Sequence, residues 1–322
     1  MTGIFPSVRL VSPGELDSID GDGGSMAGRT MTLLVAALLV AHGAAIGGLD
    51  ASKIRQPPPG MIQIVRTSDG SALMGRITKV DADRIIFATD LTTVEIPIGS
   101  IVEIREAPES SIRGGRYWFP DPSGSRLYLF PTARMIPRGE GYFADYYVFF
   151  AAAGYGLTDW LTVGGGISLF PGVSLDKQIY YFTPKIGIEA TDKFQLSAGA
   201  LILKVPDLSD DDDDGMPLVG VLDAVATYGS PDASLTAGVG YGFVDDEVAD
   251  KPLALIGANW RFSRRAAFVS ENWIIPGVEN AMISYGFRLM GESISVDLAF
   301  FTPTGEDFLF PGLPFVAFAF AF

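Results

Sequence analysis

Residues 315–322 read Phe-Val-Ala-Phe-Ala-Phe-Ala-Phe, which is the clearest alternating pattern in the chain. Phe318, Phe320 and Phe322 fall on one face of an extended strand, and alanines fall on the other. A period of two predicts a β-strand rather than a helix, because successive side chains of a strand point to opposite faces. In a soluble antiparallel sheet the solvent face is usually polar, whereas here neither face is. The stretch therefore predicts a strand that faces lipid.

Composition limits the classes of function. The chain has 322 residues and a formal net charge of −15, which argues against a nucleic-acid partner because such partners require a cationic surface. It contains no cysteine, which excludes disulfides and thiolate metal sites. The single histidine, His42, lies in a segment that we expect to be removed. The mature chain would then have no imidazole for catalysis, and we expect neither enzymatic activity nor a cofactor.

The first 60 residues contain targeting signals. Residues 26–45 have a basic lead, an apolar run of about 10 residues and a small-residue exit, which is typical of a secretory signal peptide; a buried core helix is the alternative. Residues 1–25 are acidic, so we expect translation to begin at Met26 or Met31. Residues 46–60 end in a proline-rich run that predicts a stiff linker.

Residues 61–107 form a compact unit of their own. Five short strands are predicted, at residues 62–67, 73–80, 84–89, 93–96 and 101–105, with a hairpin signal at Ser68–Gly70. The run from Asp69 to Ile77 resembles SH3-like and Sm-like small barrels. The unit carries five Lys or Arg residues against seven acids, so RNA binding is not expected. We interpret it as a periplasmic scaffold or a module that binds a protein partner.

From residue 126 onward, short turns alternate with longer polar connections. The short turns lie at residues 158–159, 191–192, 230–232, 263–265 and 291–293. The long connections lie at residues 135–140, 171–177, 206–217, 245–251, 276–279 and 303–314. Counting Arg126–Ala133 as the first strand and residues 315–322 as the last predicts about 12 strands.

This pattern resembles bacterial outer-membrane β-barrels, which have short periplasmic turns, long external loops and a C-terminal aromatic that serves as an assembly signal. The resemblance implies an all-β protein with a transmembrane barrel at residues 126–322, joined by a linker at residues 108–125 to the periplasmic unit. It implies a Gram-negative type of outer membrane, contact with its lipid, and recognition of Phe322 by the barrel-assembly machinery. A soluble β-sandwich is the alternative fold.

Alternation along the strands predicts which side chains face the lumen. In residues 233–243 the bulky positions face one way and Ser, Thr and Gly the other, which predicts an apolar outer face. Aromatic residues at strand ends suit interfacial girdles: Trp160, Tyr180, Trp260 and Phe262. The predicted lumen-facing charges are Asp145, Lys185, Glu189, Asp223, Arg261, Glu271, Arg288 and Asp297. Arg288 and Asp297 are predicted to pair across a ladder, either as a structural tie or as an ion-selective constriction.

Two further clusters are candidate sites. The acidic run Asp210, Asp211, Asp212, Asp213 and Asp214 suits a divalent cation, although consecutive aspartates cannot all face one ion and a solvated loop is the favoured interpretation. Near the predicted outer mouth, four polar residues could form a rim or contact a ligand: Arg134, Arg138, Glu140 and Asp145. Pro131 predicts a bulge in the first strand, because proline lacks a backbone donor.

Three functions are compatible with this reading. The first is a passive pore or small-solute channel. The alternative is a non-conducting anchor for the periplasmic unit. An acyl hydrolase is less favoured, because 12-stranded lipases resemble Ser-His-Asn enzymes and the mature chain would lack the histidine.

Overall fold

The computed structural model describes residues 53–205, 217–277, 281–305 and 311–322. The predicted signal peptide, the start of translation and His42 lie outside the described residues, as does the acidic run at residues 210–214. Within the described ranges, no helix has the length and apolar character needed to cross a membrane.

The first folded unit is a five-stranded antiparallel sheet. Its strands are β1 (Met61–Thr67), β2 (Ala72–Val80), β3 (Arg84–Ala88), β4 (Thr93–Pro97) and β5 (Ile101–Pro108). They lie in the order β4-β3-β2-β1-β5, so that the last strand returns to pair with the first. Apolar side chains from every strand fill the core: Val65, Ile77, Ile85, Phe87, Ile96, Ile101 and Ile104. The five strands predicted from the sequence are therefore present.

The second unit is a closed antiparallel barrel. A two-stranded hairpin precedes it, β6 (Ile112–Arg113) and β7 (Arg116–Tyr117). The wall strands are β8 (Gly141–Tyr146), β9 (Phe150–Thr158), β10 (Leu161–Ser168), β11 (Tyr180–Thr191), β12 (Phe194–Lys204), β13 (Leu218–Ser230), β14 (Ala233–Val244), β16 (Leu253–Ser263), β17 (Ala266–Ile274), β18 (Met282–Met290), β19 (Ile294–Pro303) and β20 (Leu313–Ala321). Short β15 (Glu247–Val248) pairs with β14 and is not part of the ring. Pairing of β20 with β8 closes the ring of 12 strands in the described part of the chain.

The barrel wall follows the predicted alternation. Along β14 the bulky Leu235, Val239 and Tyr241 are exposed, and the Ser, Thr and Gly residues between them point inward. On β20, Phe318 is exposed outward and Ala317 is buried inward, and Phe322 directly after the strand is exposed as well. The four strand-end aromatics named above are exposed as well. An apolar outer surface with small or polar inward positions is the pattern of a barrel that lies in lipid.

Two predicted boundaries were wrong, and their errors cancel in the strand count. Residues 126–133 do not form a wall strand; they lie inside the barrel and make only an isolated bridge between Arg126 and Pro131. The stretch taken as one strand before residue 158 is instead two strands, separated by a turn at Tyr147–Phe149. Tyr147 and Val148 hold positive φ angles of 55° and 68° without any glycine, so the turn has no sequence signal.

Residues 108–125 are likewise not a free linker. They include a 3₁₀ turn at Glu109–Ser111 and the β6–β7 hairpin, and they then enter the barrel. The predicted bulge at Pro131 is also wrong, because this proline belongs to no wall strand.

Candidate functional site

The lumen of the barrel is occupied by the chain's own residues 118–138, here called the lumen segment. It enters beside the turn between β16 and β17, where Arg261 Nη1 donates to the Phe119 carbonyl at 2.7 Å. Its tip lies at residues 127–130, toward the end of the barrel that carries the long connections. There the Tyr128 ring packs against Phe301, near the end of β19, and Phe315, near the start of β20. The segment then returns to the first end of the barrel.

Inward-facing glycines make room for the lumen segment. A β-carbon at Gly257 would collide with the Leu127 side chain, and one at Gly187 would approach Met135 Sδ to 2.6 Å. At Gly156 the Pro137 carbonyl leaves no space for a side chain. These positions lie on β16, β11 and β9, so the wall is fitted to the segment on several sides. Gly is required there for close packing rather than for backbone freedom.

Glu271 on β17 holds the tip of the lumen segment. Its Oε2 accepts hydrogen bonds from the backbone N–H groups of Tyr128, Leu129 and Phe130 at 2.8, 3.0 and 3.1 Å. Its Oε1 accepts from Trp273 Nε1 at 2.8 Å. Successive N–H groups that converge on one carboxylate form an anion-binding nest. The sequence predicted that Glu271 faces the lumen, and its partner there is the segment.

The predicted pair of Arg288 and Asp297 is present and fully buried. The two residues are direct partners across β18 and β19, and Arg288 Nε lies 2.6 Å from Asp297 Oδ1. Arg288 Nη1 also binds Asp121 at 3.1 Å, and Asp297 Oδ2 binds Arg126 Nη1 at 3.0 Å. Asp121 and Arg126 belong to the lumen segment. The pair is therefore the centre of a network that ties the segment to the wall, a role that was not foreseen.

On the opposite wall, Lys185 of β11 binds the segment through its backbone. Its Nζ donates to the carbonyls of Ser125, Thr132 and Arg134, at 3.4, 3.1 and 2.7 Å. Neighbouring hydroxyl groups bind the return path of the segment. Thr227 Oγ1 accepts from the Ala133 N–H at 2.9 Å, and Thr162 Oγ1 accepts from the Ile136 N–H at 3.2 Å. Wall contacts thus surround the segment.

The five-stranded unit packs against the end of the barrel that carries the short turns. Glu292 in the turn before β19 contacts Arg66 at 2.5 Å and Arg105 at 3.3 Å. Beside these ion pairs, buried apolar residues of both units form one cluster: Ile62, Ile64, Ala107, Tyr117, Phe119, Ala267 and Met290. Burial raises the pKa of the Tyr117 hydroxyl. The unit therefore covers the end at which the lumen segment enters.

The remaining predicted lumen charges have mixed outcomes. Asp223 pairs directly with Gly199 on the neighbouring strand, and Gly199 pairs with Lys185 on the next, so that all three residues face inward. Arg261 is buried at the short-turn end. Glu189 is exposed near the turn between β11 and β12, on the same face as Lys185. The prediction for Asp145 was wrong, because it pairs directly with Phe318, and directly paired residues share a face. Asp145 lies on the outer face.

The predicted polar cluster at the outer mouth does not form. The Arg138 N–H donates to Asp159 in a short turn, and Gly141 pairs with Phe322, so this region lies at the short-turn end. Arg134 Nη2 donates instead to the Gly229 carbonyl, and Asp145 is separated on the outer face. The described residues contain no cluster of three or more potential metal ligands.

Sequence reasoning did not foresee Asp121, Ser123 and Arg126 as the groups that fix the lumen segment. Ser123 Oγ lies 2.8 Å from Ser295 Oγ on β19, and the Arg126 guanidinium also stacks over the Tyr146 ring at 5.2 Å. The sequence signal for a segment inside the barrel is the row of inward glycines, but such glycines are equally compatible with a water-filled lumen.

Comparison with known proteins adds structural neighbours of low similarity. No protein-family model matches the sequence, and no curated protein matches it. Among solved structures, Vibrio cholerae OmpT, an outer membrane protein folded in vitro, is 8% identical with a TM-score of 0.32, covering 81% of this chain and 95% of that chain. Its loop L8 deletion mutant is 9% identical with a TM-score of 0.32, covering 81% and 96%. Salmonella typhi OmpF in complex with daunomycin is 13% identical with a TM-score of 0.30, covering 81% and 95%. TM-scores this low carry no functional information.

Proposed function

We propose that this protein is a plugged outer-membrane barrel that anchors its five-stranded unit at the periplasmic side of the membrane. The proposal rests on the observation that inward-facing charged side chains bind the lumen segment. Glu271, Arg288, Asp297 and Lys185 all bind the lumen segment. Side chains committed to such contacts are not available to line an open water-filled channel. The passive pore remains the alternative function.

The apolar outer face of the barrel supports the membrane location. Closed barrels satisfy every backbone group between strands, which is the condition for a sheet to span a bilayer. The short turns and the C-terminal Phe322 would then lie on the periplasmic side, where the barrel-assembly machinery recognises the last strand. We further propose that signal peptide 26–45 directs export and that lipid surrounds the wall.

The strand order of the first unit supports its interpretation as an SH3-like module. In this order the fifth strand returns to the first. At the periplasmic end of the proposed barrel, the module would present its remaining surface to the periplasm. We propose that this surface binds a protein partner and that the chain has no enzymatic activity. The barrel fixes the position of the module, because Glu292 and the shared apolar cluster hold the module against the barrel.

Bilayer recordings on a cysteine pair test the anchor against the pore. The chain has no cysteine, so Ser123→Cys with Ser295→Cys introduces a single possible disulfide, at side chains whose oxygens lie 2.8 Å apart. We expect the wild-type protein and the oxidised double variant both to be silent in planar bilayers. Ser123→Cys alone serves as the control.

Steady conductance of the wild-type protein that oxidation leaves unchanged would overturn the proposal in favour of a pore beside the segment. Conductance of the wild-type protein that is lost only in the oxidised double variant would also overturn it, by showing that the segment moves and acts as a gate.

A further inference from the structure

Alternation fails on one part of the inner wall. The consecutive apolar residues at 200–203 on β12 and 218–222 on β13 place bulky groups on both faces. Leu201 pairs directly with Val221, and Leu203 with Val219. These pairs lie on the same face as Asp223 and Thr227, which is the lumen face, and all four side chains are only partly buried. The inner wall here is apolar and accessible.

The tip of the lumen segment also exposes an apolar side chain. Leu129 is 51% exposed although it lies within the barrel, and its backbone N–H is fixed by Glu271. An accessible leucine inside a barrel gains nothing from water, and exposed apolar groups that cluster in a concave surface mark ligand sites.

A carboxylate lies at the foot of the apolar patch. Asp223 is the next inward residue of β13 after Val221, and its Oδ1 is buried with no hydrogen-bond partner among the described residues. Lys185 lies two strands away, at the position level with Asp223 on the inner face. It does not donate a hydrogen bond to this oxygen, because the three N–H groups of its ammonium donate to carbonyls of the lumen segment. A buried carboxylate oxygen without a donor is expensive, which favours a ligand that brings one.

The charge of the neighbouring connection selects the sign of that ligand. Asp245, Asp246 and Glu247 are exposed in the connection after β14, at the same end of the barrel as Leu203 and Val219. Together with the net charge of −15, these acids raise the local concentration of cations and repel anionic amphiphiles.

We propose that the inner wall formed by β12 and β13 binds an amphipathic amine. The apolar chain lies on Leu201, Leu203, Val219 and Val221, and the ammonium group donates to Asp223. The ligand enters from the end that carries the long connections. The site does not depend on whether the barrel conducts, because it is built from partly buried wall residues of β12 and β13.

Photolabelling tests the proposal on the full-length protein in lipid nanodiscs. The probe is dodecylamine with a diazirine near the end of its chain, competed by unlabelled dodecylamine, dodecanol or dodecanoate. We expect saturable labelling at residues 201, 203, 219 and 221 that dodecylamine suppresses at tenfold lower concentration than the alcohol or the acid. Ile202 and Leu222 are the internal control, because they lie on the outer face of the same strands and report insertion into lipid.

Two variants separate the chain and head-group contacts. Val221→Asn is expected to reduce saturable labelling at least tenfold, whereas Asp223→Asn is expected to remove the preference for the amine over dodecanol. Heat-dependent migration in gel electrophoresis checks that each variant is folded. Labelling confined to the outer positions would overturn the proposal, and so would saturable inner labelling that neither variant changes.

Discussion

The inner wall of the barrel has two sides that use similar residues differently. On β17–β19, Glu271, Arg288 and Asp297 are buried and each binds the lumen segment or a partner that does. On β12 and β13, the inward-facing Asp223 has an oxygen without a hydrogen-bond partner in the described part of the chain, and the next inward positions toward the long connections are accessible leucine and valine. The difference lies in the partner. Polar side chains fix the backbone of the segment, as Thr227 does at the short-turn end of β13, whereas the leucine and valine positions beyond Asp223 form the surface that we propose binds a ligand.

Arg288→Ala should break the tied side most severely. The substitution leaves Asp121 and Asp297 buried without their common cation, and breaking a buried ion pair costs about 3–5 kcal/mol. We expect the tip of the lumen segment to open locally, because it depends on these contacts and the wall strands do not. Hydrogen exchange of the Leu127 and Tyr128 amides should accelerate by about 10²–10⁴-fold.

Arg138→Ala is the matched control, because Arg138 is an exposed arginine at the end of the same segment. Its effect should stay within about 0.5 kcal/mol. Equal exchange rates in the wild-type protein and in Arg288→Ala would mean that the network does not hold the tip.

Leucine truncation compares the two sides directly. Leu127 of the lumen segment is fully buried in a cluster with Val269 of β17 and Phe301 of β19, and Leu127→Ala should cost about 2–5 kcal/mol through lost contacts and the cavity that remains. Leu201→Ala removes the same atoms from an accessible position and should cost less than about 1 kcal/mol. Urea unfolding of both variants in detergent, followed by tryptophan fluorescence, measures the difference. Equal losses would show that the β12 side is packed as tightly as the β17–β19 side.

The sequence predicts the wall well because each wall strand obeys a local rule. Alternation identifies the outer face of β14 and β20, and the ladder across the turn at residues 291–293 places Arg288 opposite Asp297. These inferences need only neighbouring residues. The five strands of the first unit follow in the same way from turn residues such as Asp69 and Gly70.

The lumen segment could not be predicted because its environment is not local. Residues 126–133 are apolar enough for a strand, and only Pro131 and the inward glycines of distant strands argue against one. The turn at Tyr147 was not predicted, for a different reason. Its positive φ angles are imposed on residues that do not favour them, so no turn residue marks the place where β8 ends. Asp145 was assigned to the wrong face as a consequence.

Glu292→Ala should have the smallest effect, although Glu292 joins the two folded units. Arg66 and Arg105 each keep a second carboxylate, Glu103, at 3.3 and 2.8 Å, and all of these side chains are partly exposed. Exposed ion pairs contribute up to about 1 kcal/mol, so exchange of the β1 amides should rise by no more than about fivefold. Met290→Ala is the comparison, because Met290 is buried in the apolar cluster and its truncation should cost about 2 kcal/mol or more. If Glu292→Ala accelerated exchange in β1 as strongly as Met290→Ala, the ion pairs rather than the apolar cluster would hold the unit on the barrel. We expect the apolar contact to dominate, because its residues are removed from water and the guanidinium groups keep an alternative partner.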